Sequence, residues 1–225
     1  MRNDSIEELI SSVRAESPGP EGLDRIRKTL LDELAPVRPL PSDGALIAIV
    51  FACLVLFSIA ATVPFGFLAV QSFSAYQKVL LYSTVAGCAA LCSAAVVGQM
   101  IPGSNKNWQP SIPLPCSVIS LAAITLTIFG DFGSTRFVYH GIPCLRLGMA
   151  MAIVAFGLIC GFLRKGLVTS WLRAGAIGGG LAGLAGVSVL ALHCPIQNAP
   201  HVLVWHIGVI VAAGLGGLLF GWIRD

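Results

Sequence analysis

Apolar residues are grouped into six long runs in this chain, separated by shorter polar segments. The runs are about Ala45–Val70, Val79–Ile101, Leu114–Gly130, Gly148–Leu163, Ala174–Leu192 and Val202–Trp222. A transmembrane helix needs about 20 consecutive apolar residues. The third and fourth runs are short, so the ends of those spans are the least defined. The pattern predicts an all-α integral membrane protein with six transmembrane helices.

The composition supports a membrane protein and disfavours a transporter. Hydrophobic residues make up 56% of the 225 residues, charged residues make up 11%, and the mean hydropathy is +0.83. Soluble domains carry about 25% charged residues. The interiors of the six runs contain no Asp, Glu, Lys or Arg. Transporters usually mark their pathway with such residues, so we expect no ion-coupled transport.

The first 43 residues form a separate acidic segment that we predict to be a cytoplasmic tail, followed by a six-span domain over 44–225. The tail holds nine of the eleven acidic residues and six of the fourteen basic ones. Its pattern predicts a helix after a capping box at Ser5 and a second helix from Glu21 to Ala35. Two such helices have too little apolar surface to fold alone. Their apolar stripes can pack on each other, on the bilayer or on a protein, and the acidic charge favours a protein.

The distribution of basic residues predicts that both termini are cytoplasmic, since cytoplasmic loops are enriched in Lys and Arg. Nine basic residues then lie near the inner ends of the spans and three in the outer loops. The outer segments in this orientation are 71–78, 131–147 and 193–200.

Glycines at four-residue spacing dominate the last two apolar runs. They are Gly175, Gly179 and Gly183 in the fifth run, and Gly217 and Gly221 in the sixth. Small residues at this spacing let two helices approach closely. The last two spans are therefore predicted to form a tight hairpin.

Two of the seven cysteines differ from the rest in position. Cys53, Cys88, Cys92, Cys116 and Cys160 lie within or at the ends of apolar runs, where cysteine acts as a small hydrophobe. Cys144 precedes the fourth run and Cys194 follows the fifth, which places both at the outer ends of neighbouring antiparallel spans. We hypothesise a disulfide or a switchable dithiol; the alternative is two unrelated packed thiols.

All four histidines fall near the same outer side. They are His140, His193, His201 and His206. With Cys194 they could form a soft metal site, since thiolate and imidazole suit zinc or copper, but the spacing matches no established metal motif. The alternative makes Trp205 and His206 interfacial anchors. We favour the anchor interpretation for His206, leave His193 open, and assign no metal ligand and no cofactor.

Catalytic signatures are missing from the sequence. It contains no nucleophile elbow, phosphate loop, paired catalytic carboxylates or zincin motif. It also lacks the basic, aromatic-interleaved surface of a nucleic-acid binder. We therefore expect neither an enzyme nor a direct nucleic-acid contact.

Three features together resemble the NrsF-type membrane proteins, which are negative regulators of extracytoplasmic-function sigma factors. The first is the segment Leu30-Leu31-Asp32-Glu33-Leu34-Ala35-Pro36-Val37-Arg38-Pro39-Leu40. The second is Cys144 before the fourth span, and the third is the ending Leu192-His193-Cys194-Pro195, His201, Trp205-His206. Residues 1–20 are additional to the usual family pattern.

The resemblance implies an anti-sigma factor in the inner membrane of a Gram-negative bacterium. Its tail would hold a sigma factor through Leu30, Leu34, Val37, Arg38 and Leu40. Cys144 and Cys194 would sense redox or metal stress in the envelope and trigger release, with the motif residues His193, Pro195, His201, Trp205 and His206 beside them. Besides the sigma factor, we expect membrane lipid as a partner. The alternative function is a membrane redox or metal- and cofactor-binding protein that uses the outer Cys/His cluster.

Overall fold

The computed structural model describes residues 19–33, 41–101, 112–133, 137–196 and 198–225. Within these ranges every regular element is a helix, in agreement with the predicted all-α class. The described residues contain no strand, and their one isolated bridge joins Asp131 to Asn198. The chain divides into two compact units, Met1–Leu40 and Pro41–Asp225.

The first unit contains one described helix, α1, over Pro20–Glu33. It corresponds to the second tail helix of the sequence analysis, which is predicted from Glu21 to Ala35. The Thr29 hydroxyl donates a hydrogen bond to the Arg25 carbonyl within this helix. The predicted capping box at Ser5 and the helix after it lie outside the described residues.

The second unit contains the apolar helices. They are α2 (Asp43–Thr62), α3 (Leu68–Ser72), α4 (Ala75–Gly98), α5 (Pro113–Ile128), α6 (Phe137–Leu163), α7 (Trp171–His193), α8 (Ala199–His201) and α9 (Ile207–Arg224). A 3₁₀ turn over Val63–Phe65 follows α2, and a π-helical turn over Val202–His206 joins α8 to α9.

Among the described residues, five helical segments are long and apolar enough to cross a membrane. They are Asp43–Phe65, Ala75–Gly98, Phe137–Leu163, Trp171–His193 and Ala199–Arg224. The third predicted span corresponds to α5, an apolar helix of 16 residues, which is shorter than the roughly 20 residues that a span requires. The structure therefore supports five candidate spans and a shorter sixth apolar helix.

The start of α6 differs from the prediction. Residues 131–147 are predicted to be an outer loop, but α6 already begins at Phe137 and includes Pro143. Pro143 is the seventh residue of this helix, beyond the first four whose N–H groups lack a partner, so the helix continues through it with one backbone hydrogen bond fewer. Pro143 therefore does not end this helix, and Cys144 lies on a helix rather than in a loop.

Helix α7 is the centre of the second unit, since every residue from Ala174 to Ala191 is buried. Its glycines bring neighbouring backbones into contact. A Cβ atom at Gly175 would overlap the Gly217 carbonyl on α9, and one at Gly186 would overlap the Gly148 carbonyl on α6. The predicted tight hairpin of the last two spans is confirmed. Helix α7 also packs closely on α6, through a glycine pair that the sequence analysis does not include.

The α7–α9 seam can be tested with two adjacent glycines of α9. A Cβ at Gly217 would overlap the Gly175 backbone, whereas one at Gly216 meets nothing within 4 Å. We expect Gly217→Ala to destabilise the protein by about 1–3 kcal/mol through overpacking. Gly216→Ala should be neutral or stabilise by up to about 1 kcal/mol, because alanine favours the helix. Thermal unfolding of the purified protein in detergent measures both, and equal melting temperatures would contradict the close approach.

Candidate thiol and histidine site

Four side chains from four parts of the second unit converge near the connection between α7 and α9. They are Cys144 of α6, Cys194 directly after α7, His201 of α8 and His206 at the end of the π-helical turn. One ligand atom from each lies within 4.8 Å of the ligand atoms of the other three. We call these four residues the Cys/His cluster.

The two cysteines of the cluster are free thiols in contact. Their Sγ atoms lie 3.6 Å apart, whereas a disulfide bond is about 2.0 Å long. The Cys194 Sγ lies equally close, at 3.6 Å, to Nε2 of His201. The hypothesised contact of Cys144 with Cys194 is therefore present in the geometry, without a disulfide bond between them.

Proline at position 195 explains where α7 ends and how Cys194 is presented. A residue before proline is disfavoured in the helical conformation, and Cys194 is extended, with φ −77° and ψ 114°. Its backbone N–H still donates to the Leu190 carbonyl at 2.7 Å, as the last bond of the helix. Pro195 itself is exposed. Its part in the motif is thus to terminate the helix and leave the thiol of Cys194 at the terminus.

The π-helical turn explains why His201 and His206 meet. On an α-helix, residues five apart point about 140° away from each other, since each residue turns the helix by about 100°. A π-helix bonds residue i to i+5 and therefore brings such residues to one side. The two imidazole rings are 5.2 Å apart between centroids and nearly perpendicular. The interpretation of His206 as an interfacial anchor is therefore wrong, because its ring is packed inside the protein.

The cluster is largely sealed from solvent. Cys194 is 3% exposed, His201 3% and His206 4%, whereas Cys144 is half-buried. The hydrogen bond with the Cys144 sulfur and the burial of the thiol raise the pKa of Cys194 above its usual range. The Cys194 thiol is therefore protonated at neutral pH. Access from outside is through the Cys144 side of the cluster.

Asn198, which is not among the predicted site residues, holds the segment that presents His201. Its Oδ1 accepts a hydrogen bond from the His201 backbone N–H at 3.2 Å, and its Nδ2 donates to the Gly133 carbonyl. The Ala199 N–H donates to the Asp131 carbonyl at 2.9 Å. The available signal is Asn-Ala-Pro, since asparagine at an N-cap followed by an early proline marks a helix start.

Two histidines of the predicted outer face lie outside the cluster. Nδ1 of His193 lies 3.1 Å from the carbonyl oxygen of Gly66. The centroid of the His193 ring lies 5.8 Å from that of the Phe65 ring. His140 is exposed and packs edge-on against Tyr139. His193 thus connects the end of α7 to the turn after α2, and neither histidine faces the thiols.

Trp205 packs against the start of α6 instead of serving as a free anchor at an interface. Its indole contacts the Phe137 ring, with 5.2 Å between centroids. A Cβ at Gly141 would overlap the same indole. Because position 141 is a glycine, the Trp205 ring can pack there without a steric clash. The contact holds the π-helical turn against the helix that contributes Cys144.

The remaining cysteines do not join the cluster. Cys88 and Cys92 are buried, and both approach Ser117 on α5, at 4.0 Å and 3.6 Å. This agrees with the predicted packing role. That prediction is wrong for Cys53 and Cys116, which are exposed on helix surfaces.

Most of the predicted partner-binding residues cannot be placed. Leu34, Val37, Arg38 and Leu40 lie outside the described residues. Leu30 lies within α1, and the structure describes its backbone but not its side chain. Their proposed role remains a prediction.

The sequence of this chain also matches a known protein family. The family described as negative regulator of sigma F, NrsF, matches residues 30–224. The chain belongs to the NrsF family. A probable anti-sigma-F factor NrsF from Azospira oryzae is 28% identical over 138 residues, which cover 56% of this chain and 61% of that relative. The chain thus matches about three-fifths of the relative's length. No solved structure matches the chain.

The NrsF match confirms the resemblance seen in the sequence, and it includes the entire Cys/His cluster. It begins at residue 30, inside α1. The residues that the sequence analysis finds additional to the family pattern, 1–20, lie before it. The part of the chain that the family shares is therefore the end of the tail together with all the apolar helices.

The role of Asn198 in presenting His201 gives a test within this NrsF domain. Asn198→Ala removes both the cap and the Gly133 contact, whereas Asn198→Asp keeps an acceptor for the His201 N–H. Loss of an N-cap costs about 0.5–2 kcal/mol, so we expect a lower melting temperature for Asn198→Ala and a smaller loss for Asn198→Asp. Maleimide should also label Cys194 faster in Asn198→Ala. Unchanged labelling and melting would show that the segment is held by other contacts.

Proposed function

We propose that this protein is an anti-sigma factor that holds an extracytoplasmic-function sigma factor at the bacterial inner membrane and so keeps it from RNA polymerase. The supporting observation is the NrsF match over residues 30–224, which extends from the end of the tail through the apolar helices. The relative from Azospira oryzae, named a probable anti-sigma-F factor, points the same way. Sequestration needs no bond-making chemistry, and we therefore propose no enzyme activity.

Residues 1–43 are the proposed sigma-binding module, with Leu30, Leu34, Val37, Arg38 and Leu40 at the contact. The exposure of α1 supports this role. Leu23 is 56% exposed, and the described charged side chains around it are exposed as well. An amphipathic helix with an exposed apolar residue of this kind is suited to a groove on another protein. The acidic charge of the tail complements the basic helices by which sigma factors contact promoter DNA.

The apolar helices of 44–225 form the proposed membrane domain, in contact with lipid and with both termini in the cytoplasm. Large apolar side chains on their outer surfaces support this placement, since a soluble protein rarely exposes a contiguous apolar surface of this kind. The excess of basic residues at the predicted inner ends supports the orientation. The Cys/His cluster then faces the envelope.

The proposed signal is a change in the state of Cys144 and Cys194. A two-electron oxidant such as a peroxide converts one thiolate to a sulfenic acid and is itself reduced. The second thiol displaces water from that sulfenic acid and forms the disulfide. The sulfur atoms must then approach from 3.6 Å to about 2.0 Å. This movement would shift α6 against the end of α7, and release requires that the shifted form bind the sigma factor less tightly.

The sensing role of the thiols can be tested in cells. We expect Cys144→Ser with Cys194→Ser to abolish sigma-dependent transcription in response to peroxide, because no disulfide can form, while basal repression stays intact. The matched control is Cys53→Ser with Cys116→Ser, two exposed thiols outside the cluster. A sigma-dependent reporter measures both strains. A normal response in the Cys144 and Cys194 double variant would disprove thiol sensing.

Sigma-factor binding can be tested with the full-length protein as bait in native host lysate. We expect it to retain a sigma factor, and Leu34→Ala with Arg38→Ala to reduce retention by at least about tenfold, since interface anchors typically contribute 2 kcal/mol or more. Lys28→Ala, an exposed position on α1, serves as a matched charge control. Mass spectrometry identifies the captured protein. Failure of the unmodified bait to retain any sigma factor would refute the proposal.

A second candidate function is a membrane redox protein whose metal or cofactor is bound at the Cys/His cluster. The convergence of four potential ligands within 4.8 Å supports it. Haem or a redox-active metal retained in the purified protein, with turnover of an electron donor, would favour this candidate. Sigma-factor retention without turnover would favour the anti-sigma function.

A further inference from the structure

We propose that the Cys/His cluster is a four-ligand site for a thiophilic d¹⁰ cation, either Zn²⁺ or Cu⁺. The ligands are the thiolates of Cys144 and Cys194 and one imidazole nitrogen each from His201 and His206. The inference rests on the proposed function in one respect, since it names a cation that acts at the proposed sensor. The binding of the metal itself depends only on the geometry of the cluster.

The interatomic distances match those of a tetrahedral site. With metal–sulfur bonds of about 2.3 Å and metal–nitrogen bonds of about 2.05 Å, two sulfur ligands lie about 3.8 Å apart and a sulfur and a nitrogen about 3.6 Å apart. The Cys144 and Cys194 sulfurs are 3.6 Å apart, and Cys194 Sγ is 3.6 Å from His201 Nε2. All four ligand atoms lie within 4.8 Å of one another, so the most distant pair must contract by up to about 1.5 Å.

His206 provides a second and independent indication of a ligand. It is 4% exposed, and its Nε2 is buried without a hydrogen-bond partner among the described residues. Buried polar groups are normally paired, so an unpaired one calls for an explanation. The edge-on packing of His206 against His201 fixes the two rings relative to each other. A cation bound by both rings would account for two buried imidazoles beside two thiols.

The donor set selects the kind of cation. Thiolate and imidazole suit Zn²⁺ and Cu⁺, whereas Mg²⁺ and Ca²⁺ prefer oxygen ligands. Four protein ligands fill a tetrahedral shell, while catalytic zinc sites use three and keep the fourth position for water or substrate. The cluster therefore fits a structural or sensing site better than a catalytic one.

Binding and oxidation compete for the same sulfur atoms. When Zn²⁺ binds, both thiols lose their protons to solvent and each sulfur donates an electron pair to the metal, with no change in oxidation state. The metal holds the sulfurs about 3.8 Å apart, too far for the disulfide bond of about 2.0 Å. Occupancy therefore prevents the disulfide.

Metal binding can be measured on the reduced full-length protein in nanodiscs. We expect one equivalent of Zn²⁺ by elemental analysis after desalting, and one of Cu⁺ in anaerobic competition with a chromophoric chelator, with no retention of Mg²⁺. Co²⁺ as a spectroscopic probe should give tetrahedral d–d bands and thiolate charge-transfer bands. The Zn²⁺ and Cu⁺ arms show which cation the site prefers.

Single substitutions test the ligand set. Loss of an outer-shell partner alone weakens metal binding by about 10- to 100-fold, so we expect His206→Ala and His201→Ala to weaken it by at least about 10-fold. His140→Ala, at an exposed histidine outside the cluster, should bind as the unmodified protein does. Bound Zn²⁺ should also slow peroxide-driven disulfide formation and maleimide labelling of Cys194, in a manner reversed by a chelator.

The outcomes separate this inference from the proposed function. Affinities unchanged by His206→Ala, or no binding of either cation by the reduced protein, would overturn the metal site even if a sigma factor is retained. One bound equivalent lost on His201→Ala and His206→Ala would support the site even if no sigma factor is retained. Melting temperatures of the variants within about 3 °C of the parent would show that lost binding does not reflect lost folding.

Discussion

The contact of the α7 backbone with the backbones of its neighbours is the constraint on which the rest of this structure depends. Gly175, Gly179 and Gly217 allow α7 and α9 to meet without intervening side chains. Gly186 allows the same against the Gly148 carbonyl of α6. Close packing of small residues replaces the hydrophobic effect as a source of helix association where lipid surrounds a protein. Because both α6 and α9 are fixed to α7 in this way, residues near the ends of the three helices have defined relative positions.

The hairpin of α7 and α9 is fixed at both ends by polar contacts. At one end the Asp225 carboxylate accepts hydrogen bonds of 2.9 Å from the backbone N–H groups of Trp171 and Leu172. These are among the N–H groups that a helix start leaves unpaired, and a carboxylate there also interacts well with the helix dipole. Arg224 lies 4.3 Å from the centre of the Trp171 ring. At the other end the Asn198 contacts and the Cys/His cluster connect the same helices.

The order of the apolar helices and the tight last hairpin could be predicted from the sequence, because both depend on local composition and spacing. The start of α6 could not, because the helix begins at Phe137, well before the apolar run at Gly148, and passes through Pro143 and Arg146, which interrupt the apolar pattern. The grouping of His201 with His206 could not either. Residues five apart do not lie on the same face of an α-helix. The π-helical turn is what brings these two side chains together.

The cluster connects a local chemical event to a large part of the domain. Its ligands come from α6, from the end of α7 and from the turn before α9, so a bound cation ties together helices that otherwise meet through small residues. A ligand that binds one conformation stabilises it by RT ln(1 + [L]/Kd), which is about 2.7 kcal/mol at 100 times Kd. A disulfide between the same cysteines instead holds the sulfurs about 2.0 Å apart, a separation that the metal-bound form excludes. Two inputs that exclude each other at one pair of sulfurs can thus stabilise two different states, which is the physical requirement for a switch.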